Sequence, residues 1–300
     1  MSMSEQNATA TPGADEPVRD RSIGRIIAEA NKLNAEQVEQ ILAYQKKNGV
    51  RFGEAAVALG LANGEDVMWA LSQQFHYPYS PGAAKQLSED LVVANKPFSA
   101  QAEAFRVLRS QINMRLFAAG EAKRAIAVIS PDSGDGKSFF AANMAVALSQ
   151  LGGRTLLVDA DMRNPRQHEI FGLNGQGSSA SAGLSGILSG RAEANAIRTV
   201  PDLPSLFVMP VGTMPPNPTE LVERPAFGLL MKELISKFDY VIVDTPAAVY
   251  GADGAVIAAH SGAALMVARK DASRADAVQA LADNLANGPA VFAGVVVNEH

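Results

Sequence analysis

From Arg124 onward the apolar residues fall into short, mostly β-branched runs: 125–129, 155–158, 206–208, 240–243, 264–267 and 291–297. Each run is too short for a helix and too continuous for a half-exposed strand, so it reads as a buried strand. Stretches with helical spacing lie between most of them, notably 137–151, 219–236 and 274–286. That alternation predicts an α/β domain with a mostly parallel sheet flanked by helices on both faces.

The pattern before residue 100 is different. Residues 22–45 and 51–74 repeat one unit at an offset of 29, with identities at Gly24/Gly53, Asn34/Asn63, Glu36/Glu65, Val38/Val67, Leu42/Leu71 and Gln45/Gln74. Each copy reads as a short helix, a turn at Asn31 or Gly60, and a second helix that Asn34 or Asn63 caps. The reading is a small all-helical domain at 21–80. Tyr77-Pro78-Tyr79-Ser80-Pro81-Gly82 and Lys96-Pro97 punctuate a linker at 81–98. A helix at 100–117 then opens a domain covering 99–300.

Composition narrows the picture. Three hundred residues with 47% hydrophobic content suffice for two modest domains. The net charge of −5 argues against a nucleic-acid partner. No cysteine is present, which excludes disulfides, zinc thiolates and cysteine catalysis. No apolar run approaches a membrane span. Residues 1–20 are polar and lack a signal-peptide apolar core, so they read as a disordered tail.

The candidate chemistry begins at Ser130-Pro131-Asp132-Ser133-Gly134-Asp135-Gly136-Lys137-Ser138, between a strand and a helix. Small residues let backbone N–H groups turn toward phosphate oxygens, and the helix N-terminus adds its positive dipole end. Lys137 can reach the β- and γ-phosphates and Ser138 can ligate magnesium. The nucleotide-binding stretch is taken as Ser133, Gly134, Asp135, Gly136, Lys137, Ser138 and Phe139. Pro131 stands where the usual G-x-x-x-x-G-K-[ST] has its first glycine. Two further strands end in acid: Asp159-Ala160-Asp161-Met162-Arg163, and Asp244-Thr245-Pro246. Carboxylates at strand C-termini sit where open α/β sheets bind ligands and can hold magnesium or its waters. Taken alone, each could be a turn or capping aspartate.

These motifs together resemble the bacterial tyrosine kinases. Asp-x-Asp-x-Arg at 159–163 matches that family's second nucleotide motif. Gly134-Asp135-Gly136-Lys137-Ser138 is similar to its Gly-Glu-Gly-Lys-Ser. Pro215-Pro216-Asn217-Pro218-Thr219-Glu220-Leu221 looks like its Pro-Pro-Asn-Pro-x-Glu-Leu. Glu103-x-x-Arg106-x-x-Arg109 matches the helix that builds its subunit contacts, although the same stripe could be a solvated helix face. The resemblance covers about 100–300, and is greatest to kinases associated with exopolysaccharide chain-length determinants. It implies ATP and Mg2+ as cofactors and tyrosine autophosphorylation regulating polysaccharide polymerisation and export. Lys137, Asp159, Asp161 and Asp244 would be catalytic, with Asp159 taking the tyrosine proton and Ser138, Asp161 and Asp244 organising the metal. It also implies a homo-oligomer, a membrane-embedded chain-length determinant as partner, and a cytoplasmic location at the inner membrane face. Ser133 and Asn164 depart from the family's proline and second arginine, and no tyrosine follows Tyr250. Partitioning and division-site ATPases are a rival, but their signature lysine is Asp132 here. A non-enzymatic assembly switch is the other rival. Asn298, past the last strand, is where related ATPases meet adenine; a turn asparagine is the plainer reading.

The N-terminal repeat resembles the N-terminal domain of type II secretion and pilus-assembly ATPases, which binds cyclic di-GMP. Arg51, Gly53, Gly60 and Gln74 in the second copy fit that motif, while Ser22 and Asn31 weaken the first. Two readings remain: a cyclic di-GMP sensor, or a docking domain that kept the fold without the ligand. The stretch Gly172–Gly190 is either a mobile loop beside the nucleotide or a surface linker.

Overall fold

The computed structural model describes residues 23–74, 87–118, 120–173, 182–191 and 196–299. The expected tail at 1–20, all of the Tyr77–Gly82 punctuation and positions 174–181 of the glycine- and serine-rich stretch lie outside them. The chain divides into two compact units, 1–81 and 82–300.

Among the described residues the first unit holds four helices: α1 (Ile23–Ala30), α2 (Ala35–Asn48), α3 (Phe52–Ala58) and α4 (Gly64–Gln74). Their apolar faces enclose Ile26, Ile27, Ile41, Ala55, Ala56 and Ala70. Both second helices start on the expected asparagine. The Asn34 carboxamide accepts from the Gln37 N–H at 2.8 Å, and Gln37 returns the bond to the Asn34 N–H at 2.9 Å. Asn63 and Asp66 exchange the same pair. Each such cap contributes about 1 kcal/mol. The turns differ: Gly60 takes a positive φ of 68°, whereas in the first copy Lys32, not Asn31, goes left-handed at 51°.

The second unit begins earlier than the sequence pattern indicated. Residues 87–98, expected as linker, include a short helix α5 (Val92–Asn95), and Leu91, Val92 and Val93 are buried. The segment is anchored by polar contacts that no periodicity reveals. The buried Asn143 accepts from the Val93 N–H at 3.0 Å and donates to the Asp90 carbonyl at 2.8 Å. Helix α6 (Ala100–Leu116) follows, then β1 (Ala125–Ile129), α7 (Lys137–Ser149), β2 (Thr155–Asp159), α8 (Gln167–Ile170) and α9 (Leu184–Leu188). Next come β3 (Arg198–Val200), β4 (Leu203–Met209), α10 (Pro218–Glu223), α11 (Pro225–Lys237), β5 (Tyr240–Asp244), α12 (Asp253–Ser261), β6 (Gly262–Arg269), α13 (Ala275–Ala286) and β7 (Val291–Asn298).

The seven strands run in the order β3-β4-β2-β5-β1-β6-β7, all parallel except β3 against β4. One apolar layer lies between the sheet and α6–α7, the other between the sheet and α10–α13. The predicted α/β class therefore stands. The single helix expected at 219–236 is two, because Pro225 forces Arg224 into extended backbone (ψ 144°). Strand β3 is too short to leave a periodic signal. Alanines 141, 142, 145 and 147 let α7 lie close against the strands, which aims its N-terminus at the carboxyl edge of the sheet.

Candidate active site

The loop between β1 and α7 turns through two glycines with positive φ, Gly134 (87°) and Gly136 (96°). At Gly136 the left-handed φ favours glycine, and a Cβ would lie 2.2 Å from Asn298 Nδ2 and push that side chain aside. Asn298 donates to the Asp135 carbonyl at 3.2 Å, so it buttresses the loop. The Asp135 carboxylate is turned onto the protein: it accepts from the Asp132 N–H and from Ser273 Oγ, both at 2.8 Å. What Asp135 can offer a ligand is its backbone. The Phe139 ring likewise packs toward Phe105, with centroids 6.0 Å apart. Ser133 and Gly134 are exposed at the loop tip.

Lys137 is buried, at 6% exposure. Among the described residues its ammonium has no hydrogen-bond acceptor, and it faces the Asp244 carboxylate electrostatically. Pairing of β2 with β5 sets Asp159 beside Asp244. Both are fully buried, and Asp161 is 5% exposed. Asp159 accepts the N–H groups of Asp161 (3.2 Å) and Gln167 (3.0 Å). Asp161 Oδ1 accepts those of Arg163 (3.1 Å) and Asn164 (2.9 Å).

Burial, then the neighbouring Asp244, hold the Asp159 carboxyl well above its ordinary range. Burial pushes Asp244 up to about 6, against hydrogen bonds from Gln167 and Ser138 and the charge of Lys137. Three crowded carboxylates in low dielectric favour a proton or a cation.

Gln167 was not singled out from the sequence, and nothing in local pattern marks it. Its Nε2 donates to Asp244 Oδ2 at 2.8 Å and to the Ser138 carbonyl at 3.1 Å. Two buried oxygens at this point, Asp244 Oδ1 and Gln167 Oε1, have no hydrogen-bond partner. Water bound to a magnesium ion would donate to both, so these residues fit that ion. Among the described residues no three acidic or histidine side chains form a complete metal cage. That agrees with magnesium held by one or two carboxylates, water and nucleotide phosphates.

A second network was also missed. Arg163 Nε donates to Asp253 Oδ2 at 2.8 Å and Arg163 Nη2 to Thr219 Oγ1 at 3.1 Å. Thr219 donates to Asp253 Oδ1 at 2.6 Å. The Pro215–Leu221 motif thereby meets the Asp159–Arg163 motif through one buried carboxylate. Burial works to raise the Asp253 pKa, but the bonds from Arg163 and Thr219 win and hold it below its ordinary value.

Of the oligomer stripe, Glu103 is exposed and pairs with Arg106. Arg106 also donates to the Pro97 carbonyl, and Arg109 to the Ala147 carbonyl at 2.8 Å. Both arginines thus tie α6 to their own unit. In the N-terminal unit Arg51 is exposed at the start of α3. Gly53 has a packing cause, since a Cβ there would lie 2.6 Å from Val67 Cγ1. Gly60 has a turn cause. Gln74 ends α4, and its side chain lies outside the described residues.

A family model for the CobQ/CobB/MinD/ParA nucleotide binding domain matches residues 126–300. The tyrosine-protein kinase wzc of Salmonella typhimurium is 34% identical over 188 residues, covering 63% of this chain and 25% of wzc. The chain thus spans about a quarter of that relative's length. The tyrosine-protein kinase CpsD of Streptococcus agalactiae is 30% identical over 197 residues, 66% of this chain and 82% of CpsD. Among solved structures, the chimerical protein CapA2B2 superposes with a TM-score of 0.64 at 33% identity, covering 79% of this chain and 99% of that one.

Proposed function

Because the chain belongs to the CobQ/CobB/MinD/ParA nucleotide-binding family and, within it, to the bacterial tyrosine kinases, we propose that its second unit transfers the γ-phosphoryl group of ATP to protein tyrosine. The observation that carries this reading is the buried Asp159–Asp244 pair, with an unpartnered oxygen on Asp244, facing the buried Lys137. Lys137 and the loop N–H groups hold the phosphates. Ser138, Asp161 and Asp244 hold magnesium, which when bound neutralises charge on the phosphates and orients them. Asp159, whose carboxyl burial holds above its ordinary range, takes the phenolic proton. Asn298 and Asp135 keep the loop in shape rather than contact the base.

The same reading gives the protein a homo-oligomer, and a membrane-embedded chain-length determinant of exopolysaccharide export as partner. No helix among the described residues is long and apolar enough to cross a membrane; in this reading the partner holds the protein at the inner face. Support for self-assembly through α6 comes from its outer face, where Val107 is 51% and Met114 70% exposed. For the N-terminal unit the docking role is better supported than cyclic di-GMP binding. Gly53 and Gly60 are explained by the fold itself, and Leu42 and Val57 stand exposed.

Purified protein incubated with labelled ATP and magnesium tests the main reading. Phosphotyrosine that disappears in Lys137→Met supports it; free phosphate with no phosphoprotein sinks it and favours an ATPase or switch. Calorimetry with cyclic di-GMP on the full chain tests the N-terminal unit: heat that vanishes in Arg51→Ala would restore the sensor.

A further inference from the structure

The chain has five tyrosines, and a kinase acting on itself needs one whose hydroxyl can reach the phosphate site. Tyr44 packs against the core of the first unit, and Tyr77 and Tyr79 lie outside the described residues. Tyr240 opens β5, while the site lies at Asp244 where that strand ends. At strand rise the two are roughly 13 Å apart, at opposite edges of the sheet. Its ring also packs edge-on against Phe117 at 5.1 Å.

Tyr250 is placed differently. The chain leaves Asp244 and is pinned at once to the phosphate loop. The buried Thr245 donates to the Val128 carbonyl at 2.8 Å. The N–H groups of Ala248 and Val249 donate to the carbonyls of Ser130 and Pro131, the first two loop residues, at 2.8 and 3.0 Å. Tyr250 ends this short 3-10 turn, and the residue is 44% exposed. Gly251 follows with φ 136°, a conformation that suits glycine and turns the chain away. The phenol lies within electrostatic reach of Arg163, whose pKa is raised chiefly by its bond to Asp253 and also by Tyr250. An exposed phenol is thus held at the site rim by backbone bonds to the phosphate loop, with a guanidinium nearby to favour a phosphate dianion.

We propose that Tyr250 is a phosphate acceptor of this kinase site. This rests on the kinase reading above. The Tyr250 oxygen attacks the γ-phosphorus of ATP and forms the new O–P bond. The bond to the β–γ bridging oxygen breaks, ADP leaves with that electron pair, and the phenolic proton passes to Asp159.

The test is mass-spectrometric mapping of phosphotyrosine on the full chain after incubation with ATP and magnesium, alongside transfer to an added Glu/Tyr copolymer. The expected result is phosphate on the peptide containing Tyr250, absent in Lys137→Met, with that peptide's signal lost in Tyr250→Phe. Phenylalanine keeps the ring, and circular dichroism checks that the fold is retained. Phosphotyrosine elsewhere on the chain or on the copolymer, with Tyr250 unmodified, overturns the site and leaves the kinase reading standing. No transfer to chain or copolymer while ATP binds overturns both.

Discussion

Replacing Asp244 by asparagine should make the nucleotide-free protein more stable while abolishing phosphoryl transfer. The carboxyl is fully buried and its pKa is pushed from 3.8 up to about 6. At about 1.4 kcal/mol per pH unit, keeping it charged at neutral pH costs the fold on the order of 3 kcal/mol. Asparagine can keep the bond that Gln167 donates to Oδ2, and puts its NH2 where Oδ1 has no partner. The sign follows from linkage. A carboxyl with a raised folded pKa binds its proton more tightly in the folded state. The penalty is therefore complete above pH 6, shrinks as pH falls toward 4, and is gone below that. Urea denaturation of both proteins at pH 7.5 and pH 4.5 reads the difference. The variant should gain up to ~3 kcal/mol at pH 7.5, or roughly 6–12 °C in Tm for a unit of this size, and much less at pH 4.5. Magnesium and ATP should stabilise the wild type more than the variant, because cation binding relieves the same crowding. A variant no more stable than wild type at pH 7.5, or a gain that does not change with pH, would refute the reasoning.

Asp253→Asn removes the carboxylate that joins Arg163 and Thr219, so transfer should fall tenfold or more with ATP affinity largely kept. Because the folded pKa of Asp253 is depressed, the stability this ion pair adds is present above about pH 4 and lost as pH falls through the lower folded value; the advantage of wild type over Asp253→Asn should vanish there. Gly53→Ala puts a methyl 2.6 Å from Val67 and should cost the first unit about 1–3 kcal/mol. Faster amide exchange in α3 and α4, restored by adding Val67→Ala, is the readout.

How much of this was legible in advance depended on the range of the interaction. The six long strands, the phosphate loop, the paired acids and the asparagine caps are written in adjacent residues. A run such as Leu156-Leu157-Val158-Asp159 specifies both a buried strand and what its end presents. The break at Pro225 was missed, because apolar periodicity on both sides of it reads as continuous helix.

Long-range geometry decided the rest. Leu91–Val93 joins the core because Asn143, some fifty residues on, satisfies its backbone. Gln167 enters the site because a loop returns it to Asp244 across 77 residues. Asp253 links two motifs that the sequence shows only as separate. Asp135 and Asn298 were expected at the nucleotide, yet their side chains bond within the protein around the loop, and Arg106 and Arg109 tie α6 to neighbouring segments of its own unit. Sequence by itself determined which chemistry is present and at which strand ends, because residue type and local period depend on neighbours along the chain. Tertiary structure alone decided which buried carboxylate keeps an oxygen without a partner, which arginine is occupied, and which tyrosine stands at the site. Those depend on packing between segments far apart in the chain, on which local pattern is silent.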